Sequence, residues 1–188
     1  NRNLDYPLIC VINGAALTLD NCILDGKCDL SESSSDRCRG LEVGESGGSV
    51  TMINSTIQNC RTVNWLGAGV VLRSSSSLEM NGSTIQNCAN ASPSGGGGSA
   101  GGVCLYNSSA LRMLNGSKIT DCKAVDSGGG VYVSTSGSVT MDNSAIENCT
   151  SDLAASSDGK GSGGGGVCIS GSGTLTMGNN SRITGCTA

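Results

Sequence analysis

Phenylalanine and histidine are absent from this 188-residue chain, and tryptophan occurs once, at Trp65. So few large aromatics leave little bulk for a thick globular core. Without histidine, and without a repeated Cys-x-x-Cys, tetrahedral zinc has no ligand set, and no cofactor is expected. No apolar run approaches the roughly 18 residues that span a bilayer, so no membrane span is expected in this chain. Eleven Lys and Arg against fifteen Asp and Glu leave a net charge of −4. The cations are scattered, which argues against a nucleic-acid partner, because that asks for a clustered basic face. The chain opens on Asn1 with no signal-peptide pattern and so reads as a processed protein or a piece of a longer one.

What the chain has instead is glycine, serine and a phrase that returns six times. Each copy opens on an apolar-x-apolar strand: Ile9-Cys10-Val11, Leu41-Glu42-Val43, Val70-Val71-Leu72, Val103-Cys104-Leu105, Val131-Tyr132-Val133 and Val167-Cys168-Ile169. Eight residues on, or nine in the second copy, the alternation returns in Leu17-Thr18-Leu19, Val50-Thr51-Met52, Leu78-Glu79-Met80, Leu111-Arg112-Met113, Val139-Thr140-Met141 and Leu175-Thr176-Met177. A third strand carries Leu24, Ile57, Ile85, Ile119, Ile146 or Ile183. Period-two alternation makes these strands, with alternate residues facing opposite ways.

Three short strands per copy, joined by Gly, Ser and Asn, describe one coil of an all-β solenoid, a parallel β-helix whose strands pair with their equivalents above and below. A β-sandwich would not need every ladder and turn residue to recur in register. Unequal coil lengths and the lack of a hexapeptide rule favour the right-handed form. Six coils at about 4.8 Å give a rod on the order of 30 Å long. No linker divides the copies, so residues 1–188 are expected to form a single domain, part of a longer protein or a stacking subunit.

Asparagine is expected to turn the corners, because it tolerates left-handed backbone and its amide bonds from coil to coil. One ladder is Asn21, Asn54, Asn81, Asn115, Asn143 and Asn179; a second is Asn59, Asn87, Asp121 and Asn148. Of seven Asn-x-Ser/Thr sequons, five fall on these ladders, leaving Asn90 and Asn107 as the glycosylation candidates.

Eleven cysteines imply an oxidising compartment. Cys60, Cys88, Cys122, Cys149 and Cys186 recur at the close of the later copies, where neighbours would stand about 4.8 Å apart, within disulfide range. A second pairing follows the loops: Cys28 with Cys38, Cys88 with Cys104 and Cys149 with Cys168 flank the three longest, and Cys10 with Cys22 makes a fourth pair. The odd total leaves a thiol free or joined to another chain, with Cys186 the candidate.

All insertions fall between the third strand and the next first strand, and loops gathered on one edge of a solenoid commonly bind. Trp65 lies in one, with Val71 and Tyr132 expected to extend the same surface. The runs Gly95–Gly98 and Gly159–Gly166 lack the Lys-Ser/Thr ending of a phosphate loop.

Gly-Gly-x-Val opening a coil and Asn-Cys closing it resemble the Gly-Gly-Ala-Ile/Leu/Val repeats of bacterial polymorphic outer-membrane proteins and the wider pectate-lyase-like β-helix family. The chain departs from the former in having Ile57-Gln-Asn59 and its equivalents where those proteins carry Phe-x-x-Asn. The resemblance implies surface-exposed adhesins or structural rods. It also raises a polysaccharide lyase, which needs clustered Asp with Arg or Lys on outward positions; no two carboxylates adjoin in any outward row here. An ice-binding Thr lattice is interrupted by Glu79 and Arg112. The expectation is a non-enzymatic extracellular or cell-surface rod, a filament or appendage subunit stacking on itself or on neighbouring β-helix chains through open ends. The alternative is an adhesin gripping surface glycans or proteins by the loop edge.

Overall fold

The computed structural model describes residues 6–31, 37–63, 67–91, 99–152 and 163–188. Alternating apolar residues stack like on like, and the chain winds through six successive coils of a parallel β-helix. The first sheet holds Pro7–Ile12, Arg39–Gly44, Val70–Leu72, Val103–Leu105, Val131–Val133 and Val167–Ile169. The second holds Ala16–Asp20, Ser49–Ile53, Ser77–Asn81, Ala110–Leu114, Ser138–Asp142 and Thr174–Gly178. The third holds Ile23–Asp25, Thr56–Gln58, Thr84–Gln86, Lys118–Thr120, Ala145–Glu147 and Arg182–Thr184. Every named pairing is parallel, and equivalent residues meet: Met52 with Met80, Leu111 with Val139, Ile57 with Ile85.

The inward residues make one continuous core. Met52, Met80, Ile57, Ile85 and Ile119 are wholly enclosed, and each such side chain contributes about 1.5 to 3 kcal/mol by leaving water. The close approach of coils demands glycine ahead of the first strand. A Cβ on Gly69 would sit 2.6 Å from the Gly102 carbonyl oxygen and 2.9 Å from Ile85 Cγ2.

At the corner after the second strand, Asn21, Asn54, Asn115, Asn143 and Asn179 all take left-handed backbone, with φ between 37° and 52°. The third coil differs. Asn81 is the last residue of its strand, opposite Leu114, and Gly82 turns the corner at φ 59°. The Asn81 amide still takes part in the ladder, because Asn115 Nδ2 donates to Asn81 Oδ1 at 2.9 Å. Just inside this corner runs a buried hydroxyl column. Ser55 and Ser83 each donate to a carbonyl two residues back, at Ile53 and Asn81, while accepting from the N–H of Cys22 and Ser55 in the preceding coils. Each hydroxyl thus satisfies two backbone groups that the bend leaves open.

A fourth, short sheet departs from the three-strand expectation. Arg61–Thr62, Ala89–Asn90, Lys123–Ala124 and Thr150–Ser151 pair in parallel where loops were expected to begin. The two residues after each ladder cysteine hold coil-to-coil bonds, as in Ala89 N–H to Cys60 O at 2.9 Å, before the chain departs into its variable loop.

Candidate functional site

The outer face of the first sheet is the only sheet face over which the corner segments fold back, among the described residues. Its outward row runs Cys10, Glu42, Val71, Cys104, Tyr132 and Cys168 in register. Val71 was expected on an open surface, but it is fully buried, as is Cys104. The cause is the backbone of the returning segment. A Cβ on Gly67 would sit 2.9 Å from Cys104 Cβ, so glycine lets the chain lie directly on the sheet. Burial pushes the Cys104 thiol up to about 12. Tyr132 is half-buried, and Trp65 lies outside the described residues.

Where this cover thins toward the first coils, a polar chain crosses the face. Arg39 Nη1 donates to Glu42 Oε2 at 2.7 Å, and Arg73 Nε lies 3.3 Å from Glu42 Oε1. The Arg73 guanidinium stands 5.9 Å from the Tyr106 ring centroid, and Tyr106 meets Tyr132 edge to face with centroids 6.5 Å apart. An open groove of about 470 Å³ lies beside them, lined by Tyr6, Cys10, Ile12, Glu45 and the Arg39–Glu42–Arg73 trio. One carboxylate shared by two guanidiniums is an ion-pair network, held in place and charge-balanced.

The family model for a right-handed β-helix region matches residues 94–188, about half of the chain. This chain belongs to the right-handed β-helix family. Within this right-handed β-helix, no helix is long and apolar enough to cross a membrane among the described residues. No curated protein and no solved structure matches it.

The β-helix does not bring the loop-flanking cysteines together. Cys88 and Cys149 belong to the inward column, whereas Cys104 and Cys168 stand on the outer row of the first sheet, on the other side of the wall. Cys38 forms an antiparallel bridge with Arg61, while Cys28 N–H bonds to Asn59 O. Cys10 points out of the first sheet and the Cys22 thiol donates to Asp20 O at 3.1 Å. All eleven are free thiols, and the loop-clip pairing is corrected accordingly.

The recurring cysteines form their own column instead. The thiols of Cys60, Cys88, Cys122, Cys149 and Cys186 each donate to the carbonyl two residues back, at 3.2 to 3.4 Å. Contacts with Cys122 and Cys60, together with burial, hold the Cys88 thiol well above its ordinary value. Cys28 stands at the same place in the first coil, one bond from Asn59 O, after the inserted Lys27.

Asn90 is buried in a fourth-sheet strand and donates Nδ2 to Ser99 O at 3.3 Å, so it cannot receive a glycan in the folded chain. Asn107 is exposed on a left-handed turn at φ 50°. Sequence reasoning missed the Ser column and the Arg39–Glu42–Arg73–Tyr106 chain. The first was readable in Ser55, Ser83, Ser117, Ser144 and Ser181, which recur beside the corner residues. The second was not, because Arg39 and Arg73 lie outside the strand triplets.

Proposed function

We propose that this chain is a non-enzymatic structural rod displayed outside the cell, a subunit of a surface filament that lengthens through its end coils. The observation that carries the reading is the contrast along one ladder. Met141 is 1% exposed in the fifth coil, whereas Met177 at the same ladder position in the sixth is 41% exposed. At the other end Ile9, Leu17 and Leu24 are likewise only partly covered. The described end coils offer unpaired strand edges over half-open apolar ladders, the arrangement that templates another strand. The outward carboxylates support a non-catalytic reading, since Glu42, Glu79 and Glu147 are each engaged by Arg or Lys partners. Sedimentation and negative-stain microscopy over a concentration series test it: fibres support the reading, and monomers at high concentration overturn it.

A second reading, an adhesin, is favoured by the groove beside Arg73 and Tyr106. Glycan and protein arrays probed with the purified chain would detect it, with Arg73→Ala as the variant expected to lose binding.

A further inference from the structure

The two end coils match each other residue for residue, and this rests on, and sharpens, the stacking reading just given. In the first sheet Ile9, Cys10 and Val11 correspond to Val167, Cys168 and Ile169, because both triplets pair with their neighbours at the same ladder positions. In the second, Leu17, Thr18 and Leu19 correspond to Leu175, Thr176 and Met177. In the third, Leu24 corresponds to Ile183, and at the corner beyond it Cys28 corresponds to Cys186.

Placing the first coil of one copy on the sixth coil of another therefore continues every inward ladder with an aliphatic on an aliphatic. The pairs formed are of kinds the chain already uses: Leu19 on Met52, Leu17 on Val50, Thr140 on Thr176. No like charges meet, since Asp25 would face Thr184 and Asp20 would face Gly178. Arg182 would pass its stem along Ile23, which is 69% exposed in the single chain. The one length mismatch, an eight-residue step from Leu175 to Ile183 against seven from Leu17 to Leu24, already occurs inside the rod where Leu111 to Ile119 adjoins Val139 to Ile146.

We infer that a second copy of this chain docks head to tail in this register, and that the joint is closed covalently by a disulfide between Cys168 of one copy and Cys10 of the next. Adjacent strands place the two Cα atoms about 4.8 Å apart, inside the span a disulfide bridges. Both side chains point outward from the same sheet, and Cys10 is exposed in the single chain. The oxidant is a small disulfide such as glutathione disulfide. The exposed Cys10 sulfur, as thiolate, attacks it and forms a mixed disulfide, releasing one reduced thiol. Cys168, as thiolate, then attacks the Cys10 sulfur and releases the second. Two protein thiols are oxidised by two electrons, one small disulfide is reduced to two thiols, and the two protons pass to the leaving thiolates. A head-to-tail joint does not close on itself unless the rotation makes a ring, so it produces an open filament.

The whole chain, purified reduced and checked for β-sheet by circular dichroism, is incubated in glutathione redox buffer and run on non-reducing gels. The expected result is a ladder of covalent oligomers that collapses with reductant, and a linked peptide pair containing Cys10 and Cys168 by mass spectrometry. Cys10→Ser alone and Cys168→Ser alone should each abolish the ladder. Mixing the two variants should restore a single covalent species, the dimer, because only one joint then carries both thiols. A Cys10–Cys10 or Cys168–Cys168 link, a link through Cys28 and Cys186 alone, or no dimer on mixing would overturn the inference. The Cys10→Ser/Cys168→Ser double variant separates the two claims. Fibres from it in reducing buffer uphold the stacking reading whatever the linkage, and monomers from both it and the parent chain sink the two together.

Discussion

Asn87 Nδ2 donates to Asn59 Oδ1 across 2.6 Å, from one coil to the next, and both residues stand in left-handed backbone at φ 52° and 53°. Two separable contributions are combined at one position, the tolerance of asparagine for that backbone and the amide bond itself. Asn87→Gly keeps the first and loses the second. Asn87→Ala loses both and is expected to be less stable than Asn87→Gly by about 1 kcal/mol, the penalty of a Cβ in left-handed backbone. Urea melts of the two variants decide it; equal midpoints would show that the corner conformation imposes no cost.

Gly69→Ala is expected to destabilise the rod by about 3 kcal/mol, because its methyl would press on backbone oxygen and on Ile85 rather than on a yielding side chain. Gly44→Ala is the control. Its Cβ would meet only Arg73 Cδ at 3.6 Å, an ordinary contact, and its melting temperature should stay close to the parent's.

Asp25 gives the fold an acid-sensitive joint. Its carboxylate accepts from Asn59 Nδ2 at 3.0 Å, from Gln58 Nε2 at 3.1 Å and from the Lys27 N–H at 2.8 Å, bonds that hold it below its ordinary value of 3.8. A carboxyl with a lower pKa folded than unfolded stabilises the fold above the unfolded value and loses that contribution as pH falls through the folded one. Thermal melts of Asp25→Asn should lie below the parent at pH 7 and converge on it as pH drops below 3.8. A gap that does not change with pH would refute this.

Iodoacetamide on the reduced native protein at pH 8 should modify Cys10 first and leave Cys104 unmodified until the chain is unfolded. Cys104 is enclosed with its thiol pushed up to about 12, so neither access nor thiolate is available. Burial, with the Glu42 and Glu45 carboxylates, raises Cys10 as well, yet it stays exposed, and Glu42→Gln should quicken its labelling. Peptide mapping by mass spectrometry reads both, and early labelling of Cys104 would show that the returning Gly67 segment does not cover it.

The ladders were legible because period-two alternation and stacking obey the same arithmetic: the partners of Glu79 and Arg112, down to their 3.1 Å ion pair, follow from aligning the copies. Where the chain leaves the strands, alignment stops being informative. Val71 reads as exposed by parity, and only the passage of Gly67 over its neighbour Cys104 buries that row. Cys88 and Cys104 read as a clip by their nearness to one loop, yet parity sends their sulfurs to opposite sides of the wall. Asn90 reads as loop because a two-residue strand carries no periodic signal at all.

Every coil-to-coil hydrogen bond in this fold lies along the long axis, whereas the covalent chain circles around it. Tension applied between the two ends therefore loads the hydrogen bonds of one interface after another, as a zipper is opened, and never all six coils at once. A rod so built yields in small equal steps, paying out one coil of slack per step, and a chain of such rods joined end to end would act as an extensible tether rather than a brittle spar.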